Sequence, residues 1–142
     1  MKITSADIKA YLDKYIDKFK GSGVSIGWDE YEGDPAFSNY TFNCDGNELG
    51  YMGVCYFNEN YKVESIDDLM LEISIPVSLR INSTIKYKKN GSKTVKNKIT
   101  FDSETTFGLE TIDEAAEILK GLILDYKTAK INERKLEAQG DF

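Results

Sequence analysis

Residues 71–101 read LEISIPVSLRINSTIKYKKNGSKTVKNKITF, and their pattern decides the fold class. Leu71, Ile73, Ile75, Val77, Leu79 and Ile81 alternate with Glu72, Ser74, Pro76, Ser78, Arg80 and Asn82, the period of a strand with one apolar face. Asn90-Gly91 then supplies the backbone freedom of a hairpin turn, and a second strand returns toward Phe101. A three-residue loop, Asn90 to Ser92, would set Tyr87 opposite Val95, Ser83 opposite Ile99 and Ile81 opposite Phe101, keeping the apolar residues together. In that register Lys86 lies opposite Lys96, with Lys88 and Lys98 extending the same face. Pro76 offers no N–H to a ladder, which places its strand at a sheet edge or on a bulge.

Outward from this hairpin, Ile66, Leu69, Met70 and Ile73 also fit a helix, so a single helical turn from Ser65 to Met70 is expected before the long strand. Further upstream, Tyr40, Phe42 and Cys44 lead into Asp45-Gly46 and out through Leu49 and Tyr51, a tight hairpin that would pair Phe42 with Leu49 and Tyr40 with Tyr51. Tyr51 to Phe57 is apolar on both faces, as a central strand would be. Val24, Ile26 and Trp28 alternate with Ser25, Gly27 and Asp29 as a further strand, and Asp29 to Pro35 forms an acidic turn. The N-terminal stretch carries Ile8, Leu12, Tyr15 and Phe19 at helical spacing, with Tyr11 and Ile16 widening the stripe. It predicts a helix from about Ser5 to Lys20, stopped by Gly21-Ser-Gly23.

Downstream, Thr111-Ile-Asp-Glu114 has the form of a capping box. It opens a helix whose stripe is Ile112, Ala115, Ala116, Leu119, Leu122, Ile123 and Tyr126. Helical propensity runs to about Ala138, and Leu124, Ile131 and Leu136 fall off the main stripe. The order of elements gives an α+β class: an N-terminal helix, an antiparallel sheet of about five strands with a short helical turn after the third, and a long C-terminal helix. The 142 residues make one domain, with residues 80–101 as a protruding basic hairpin and 127–142 as a helical extension and tail.

Composition closes off several chemistries. There is no histidine, so Ser-His-Asp and Cys-His catalysis and the common zinc sets are out of reach. Neither GxGxxG nor GxxxxGK[ST] occurs. Asn43-Cys-Asp-Gly-Asn47 echoes a calcium loop without its closing glutamate, and the hairpin turn accounts for it. The remaining carboxylate clusters, Asp29, Glu30, Glu32 and Asp34, and Glu64, Asp67 and Asp68, read as solvated turns. Cys44 and Cys55 are expected on one sheet face, about eight residues apart along the ladder and beyond disulfide reach, as small core hydrophobes. The expectation is no catalytic residue, no cofactor and no metal.

Charge is the informative feature. Arg80, Lys86, Lys88, Lys89, Lys93, Lys96 and Lys98 are seven basic residues in a stretch without an acid, in a chain of net charge −6. The rest therefore carries −13, the difference between −6 and +7. A basic arm on an acidic body suits an anionic or acidic partner, and acidic patches at 29–34, 64–72 and 110–117 make another copy of the chain a candidate. Leu124, Ile131 and Leu136 offer a second apolar line for a partner helix. The expected function is that of a non-catalytic protein-binding or assembly protein: a structural component, chaperone-like adaptor or inhibitor, acting as a homo-oligomer. The alternative is a nucleic-acid-binding protein using the lysine hairpin, although Tyr87 is the only aromatic residue among its lysines.

The element order and the pI of 4.8 resemble the layout of small acidic secretion chaperones, a likeness of element order alone. The terminal Gly140-Asp141-Phe142 resembles the acidic-phenylalanine tip of single-strand-binding tails, without their long acidic linker. Sixteen lysines against two arginines fit an AT-rich genome, such as that of a low-GC bacterium or its phage. With no apolar run long enough to span a bilayer and no signal-peptide core, the expected location is the cytoplasm, or a virion if phage-encoded, with no membrane partner.

Overall fold

The computed structural model describes residues 3–31, 33–56 and 65–140, the last seven of them without their side chains. Two helices, α1 (Ser5–Asp13) and α2 (Ile112–Gly140), pack on an antiparallel sheet. Its strands are β1 (Ser25–Asp29), β2 (Asn39–Cys44), β3 (Asn47–Tyr56), β4 (Leu69–Tyr87) and β5 (Lys93–Phe107), and they lie side by side in chain order. The class is α+β, with a 3-10 turn (Ile66–Asp68) before β4 as the expected helical turn.

α1 is shorter than its apolar spacing predicts. Thr4 caps it through Asp7 in a reciprocal box, but the α-helix ends at Asp13 and the stripe continues as a 3-10 turn over Ile16–Phe19. Ile8, Leu12, Ile16 and Phe19 are all buried, so the core is satisfied although the helix changes pitch. Tyr40 donates a hydrogen bond to the Asp13 carboxylate at the helix end. That bond holds Asp13 below the usual carboxylate range.

α2 starts at Ile112, the residue after Thr111, where the expected box would have it. A 3-10 turn over Leu109–Thr111 precedes it, and the Thr111 hydroxyl turns back to accept from the Gly108 N–H at 3.2 Å. Ile112, Ala115, Leu119, Leu122, Ile123 and Tyr126 are buried along one stripe, and all but Leu122 share a core with Phe42, Met52, Leu71, Ile73 and Ile75. Both helices thus cover one face of the sheet, and the other face is left open.

The β2–β3 turn is the expected tight one, with Asp45 at φ 50° and Gly46 at φ 79°. Its register differs from expectation: a bulge at Phe42/Asn43 pairs Phe42 with Gly50 and Tyr40 with Met52, not with Leu49 and Tyr51. The extra residue lets Leu49 stay buried. A Cβ on Gly50 would stand 1.9 Å from the Ser74 carbonyl oxygen, so glycine there is what allows β3 and β4 to close up.

This arrangement also separates the cysteines. Cys44 is in the core with Phe42, whereas Cys55 pairs with Met70, which is 42% exposed on the open face. They do not share a face as expected, because the bulge at Phe42/Asn43 shifts β3 by one residue and turns Val54, the neighbour of Cys55, to the core. Both are free, and burial raises both thiols above their ordinary range, which leaves them protonated and poor nucleophiles.

Candidate functional site

β4 is an inner strand only in its first half. β3 pairs with it from Leu69 to Ser74 and then parts from it, while β5 follows it to Tyr87. The long alternation of β-branched and polar residues therefore builds a two-stranded arm beyond the domain. Pro76 sits where the β3 ladder has ended, so its missing N–H costs nothing on that side. The pairing with β5 also passes over Val77, opposite Ser103 at φ 62°.

The arm closes through a longer loop than expected. Tyr87 pairs with Lys93, leaving Lys88 to Ser92 as the connection. Lys88 N–H donates to Ser92 at 2.8 Å, and Asn90 Oδ1 accepts from the Ser92 amide and hydroxyl at 3.1 and 2.6 Å. Satisfying these polar groups locally favours the five-residue loop. The register shifts by two residues, to Ile81 opposite Ile99, Ser83 opposite Asn97 and Ile85 opposite Val95. A shift of two keeps every side chain on its expected face.

Lysine placement changes more. Lys86 lies opposite Thr94 and Lys96 opposite Thr84, so the expected Lys86–Lys96 confrontation is absent and the charges are offset diagonally. Arg80, Lys86, Lys96 and Lys98 share the open face; Lys88 and Lys89 stand in the loop, and Lys93 is on the helix side beside Tyr87. Arg80 is paired with Asp102 at 3.0 Å, a partner just beyond the acid-free stretch.

The helix-side face is apolar. Leu79, Ile81 and Ile85 run along β4 opposite Phe101, Ile99 and Val95. α2 reaches the inner end of this row, where Tyr126 stacks on Phe101 with centroids 5.1 Å apart. Outward of that contact Ile81 is 52%, Ile85 50% and Tyr87 71% exposed. On α2, Leu124 and Ile131 are exposed and point away from the buried stripe, as expected. Leu136 lies outside the residues whose side chains are described, and Asp141 and Phe142 outside the described chain.

The open face also carries acids, which the sequence reading did not single out. Along β5, Glu104 accepts from the Ser74 hydroxyl at 2.6 Å, and Asp102 holds Arg80. An open cleft of about 800 Å³ lies there, where β3 parts from the arm, with Glu48, Tyr51, Pro76, Lys98, Asp102 and Glu104 in its lining. The signal was available: Lys96 and Lys98 share a strand face with Asp102 and Glu104. Among the described residues, no three His, Cys, Asp or Glu side chains converge as cation ligands, and no helix is long and apolar enough to cross a membrane. Glu32 and Glu64 of the acidic clusters lie outside the described residues. No family model matches the chain, and comparison with curated proteins and with solved structures returns no significant match.

Proposed function

We propose that this chain is a non-catalytic protein-binding or assembly protein that docks through the β4–β5 arm and works as an oligomer, in the manner of a structural component or a chaperone-like adaptor. One observation carries the reading: the arm extends past its own domain with an exposed apolar row, Ile81 and Ile85 half-exposed and Tyr87 more so, on one face and Lys86, Lys96 and Lys98 on the other. A monomer gains little from ordering such a surface, whereas an interface needs an apolar centre with charged margins.

Nucleic acid is the second reading, favoured by the seven basic residues alone. Against it, Tyr87 is the one aromatic residue among these lysines and stands on the face opposite Lys86, Lys96 and Lys98, with only Lys93 beside it, so the arm offers no row of stacking rings along its lysine face. The net charge of −6 also repels a polyanion.

The test replaces Lys86, Lys88, Lys96 and Lys98 with glutamate. Mixed-sequence single-stranded DNA or RNA is expected to bind the parent protein poorly even at low salt, and the variant to lose self-association or partner capture with its circular dichroism unchanged. Tight, salt-sensitive binding of single strands that vanishes in the variant would instead establish the nucleic-acid reading.

A further inference from the structure

β5 is an edge strand, and among the described residues it pairs with β4 alone. Its sequence, KTVKNKITFDSETTF, is basic in its first half and acidic in its second, with Thr100 as the middle of its 15 residues. We infer that β5 is a self-association edge: two copies pair β5 to β5 in antiparallel fashion about a two-fold axis at Thr100, joining two five-stranded sheets into one. The inference rests on the protein-docking reading above and names its partner as a second copy of this chain.

The register follows from geometry and charge. Outward-facing N–H and C=O groups alternate along an edge, so identical antiparallel strands meet only in registers that match residues of the same parity. With the axis at Thr100, Lys98 faces Asp102 and Lys96 faces Glu104 of the second copy. Symmetry doubles both contacts, giving four opposite-charge pairs on the open face. An axis at Ile99 leaves only the Lys96–Asp102 contact and its mate; one at Phe101 leaves only Lys98–Glu104 and its mate. An axis at Lys98 sets that lysine against itself, which disfavours it. The Thr100 register also brings Ile99 against Phe101 of the second copy, twice, on the helix-side face, extending the row that Tyr126 caps. Ser103, the residue at φ 62°, lies outside the span from Lys98 to Asp102 that forms the centre of the ladder.

An edge guarded against association carries charges that repel a copy of itself. In β5 the charges repel in the Lys98-centred register and attract in the Thr100-centred one, so they select a register.

The experiment uses the full chain. Lys96→Glu with Lys98→Glu makes the open face of β5 acidic throughout, and Asp102→Lys with Glu104→Lys makes it basic throughout. Sedimentation should show a concentration-dependent dimer for the parent, and each double variant alone should dissociate at least about tenfold more readily, four pairs of roughly twofold each being lost. An equimolar mixture of the two should restore a dimer. Independently, Thr100→Cys should yield a disulfide-linked dimer on mild oxidation, because only the axial residue meets its own copy, whereas Thr94→Cys and the parent should not. Hydrogen exchange of the arm checks that each variant keeps the hairpin.

A parent that stays monomeric at high micromolar concentration while its arm retains a different protein partner overturns this inference and leaves the docking reading standing. A dimer that survives both charge changes and does not cross-link through Thr100→Cys also overturns it. Salt-sensitive nucleic-acid binding lost in the Lys96→Glu, Lys98→Glu variant overturns the docking reading itself.

Discussion

Gly50→Ala is the sharpest test of how the arm is mounted. β3 and β4 are pressed together where β3 ends its pairing, and a methyl group on Gly50 would sit 1.9 Å from the Ser74 carbonyl oxygen and 2.9 Å from its carbon. Real Cβ atoms keep at least 3.0 Å, so the strands must part by about 1 Å, and the obstacle is backbone that cannot rotate away. Overpacking of this kind costs about 1–3 kcal/mol, and a weakened ladder bond beside Ser74 adds about 1 kcal/mol. The expected destabilisation is about 3 kcal/mol, or a fall in Tm of about 10 °C, with an unchanged urea m-value. Gly53→Ala is the matched control on the same strand. Its nearest neighbour is the Asn39 Cβ at 3.2 Å, which needs to shift by only a few tenths of an ångström, and the expected cost is about 1 kcal/mol or less. Thermal and urea unfolding of the two variants side by side settle the matter. A Gly50→Ala protein as stable as Gly53→Ala would refute the close approach of β3 to β4, and with it the placing of the cleft at the foot of the arm.

Two further predictions probe the contacts that seat α2 against the sheet. Burial and the Asp45 carboxylate, 2.9 Å from the hydroxyl, push the Tyr126 phenol up to about 12. The folded state thus favours the neutral phenol: its contribution is complete below pH 10, the ordinary tyrosine range, and is lost as pH rises toward 12. Tyr126→Phe should cost about 1 kcal/mol at pH 7. The stability gap between parent and variant should close above pH 10; a gap independent of pH, measured by urea titration, would disprove the role of the bond. Leu119→Ala, at a fully buried position, should cost about 3 kcal/mol, whereas Leu124→Ala, 65% exposed, should leave Tm nearly unmoved. A large loss from Leu124→Ala would show that residue to be covered in solution.

The physics of the elements was legible from residues 71–101 and their flanks. Period-two alternation in β4 required an extended strand with Ile73 and Ile75 turned inward, and the stripe from Ile112 to Tyr126 required a helix to cover them, because apolar spacing is a property of the chain itself. The acid-free run of seven basic residues was equally visible, since charge needs no fold to be counted. Registers were not. The bulge beside Phe42 and the five-residue loop after Tyr87 depend on which turn satisfies its own polar groups and on how closely Gly50 lets two backbones approach, and both are contacts between distant residues. The same holds for the two cysteines, assigned to opposite faces by the bulge and the β3–β4 pairing, and for Arg80, whose partner Asp102 becomes a neighbour only across the arm. That β5 is an edge is a fact about strand order, which is set by the competition of all strands for partners. The complementary halves of KTVKNKITFDSETTF were present in the sequence throughout, and only the tertiary structure put them on an outer strand that, among the described residues, pairs with β4 alone.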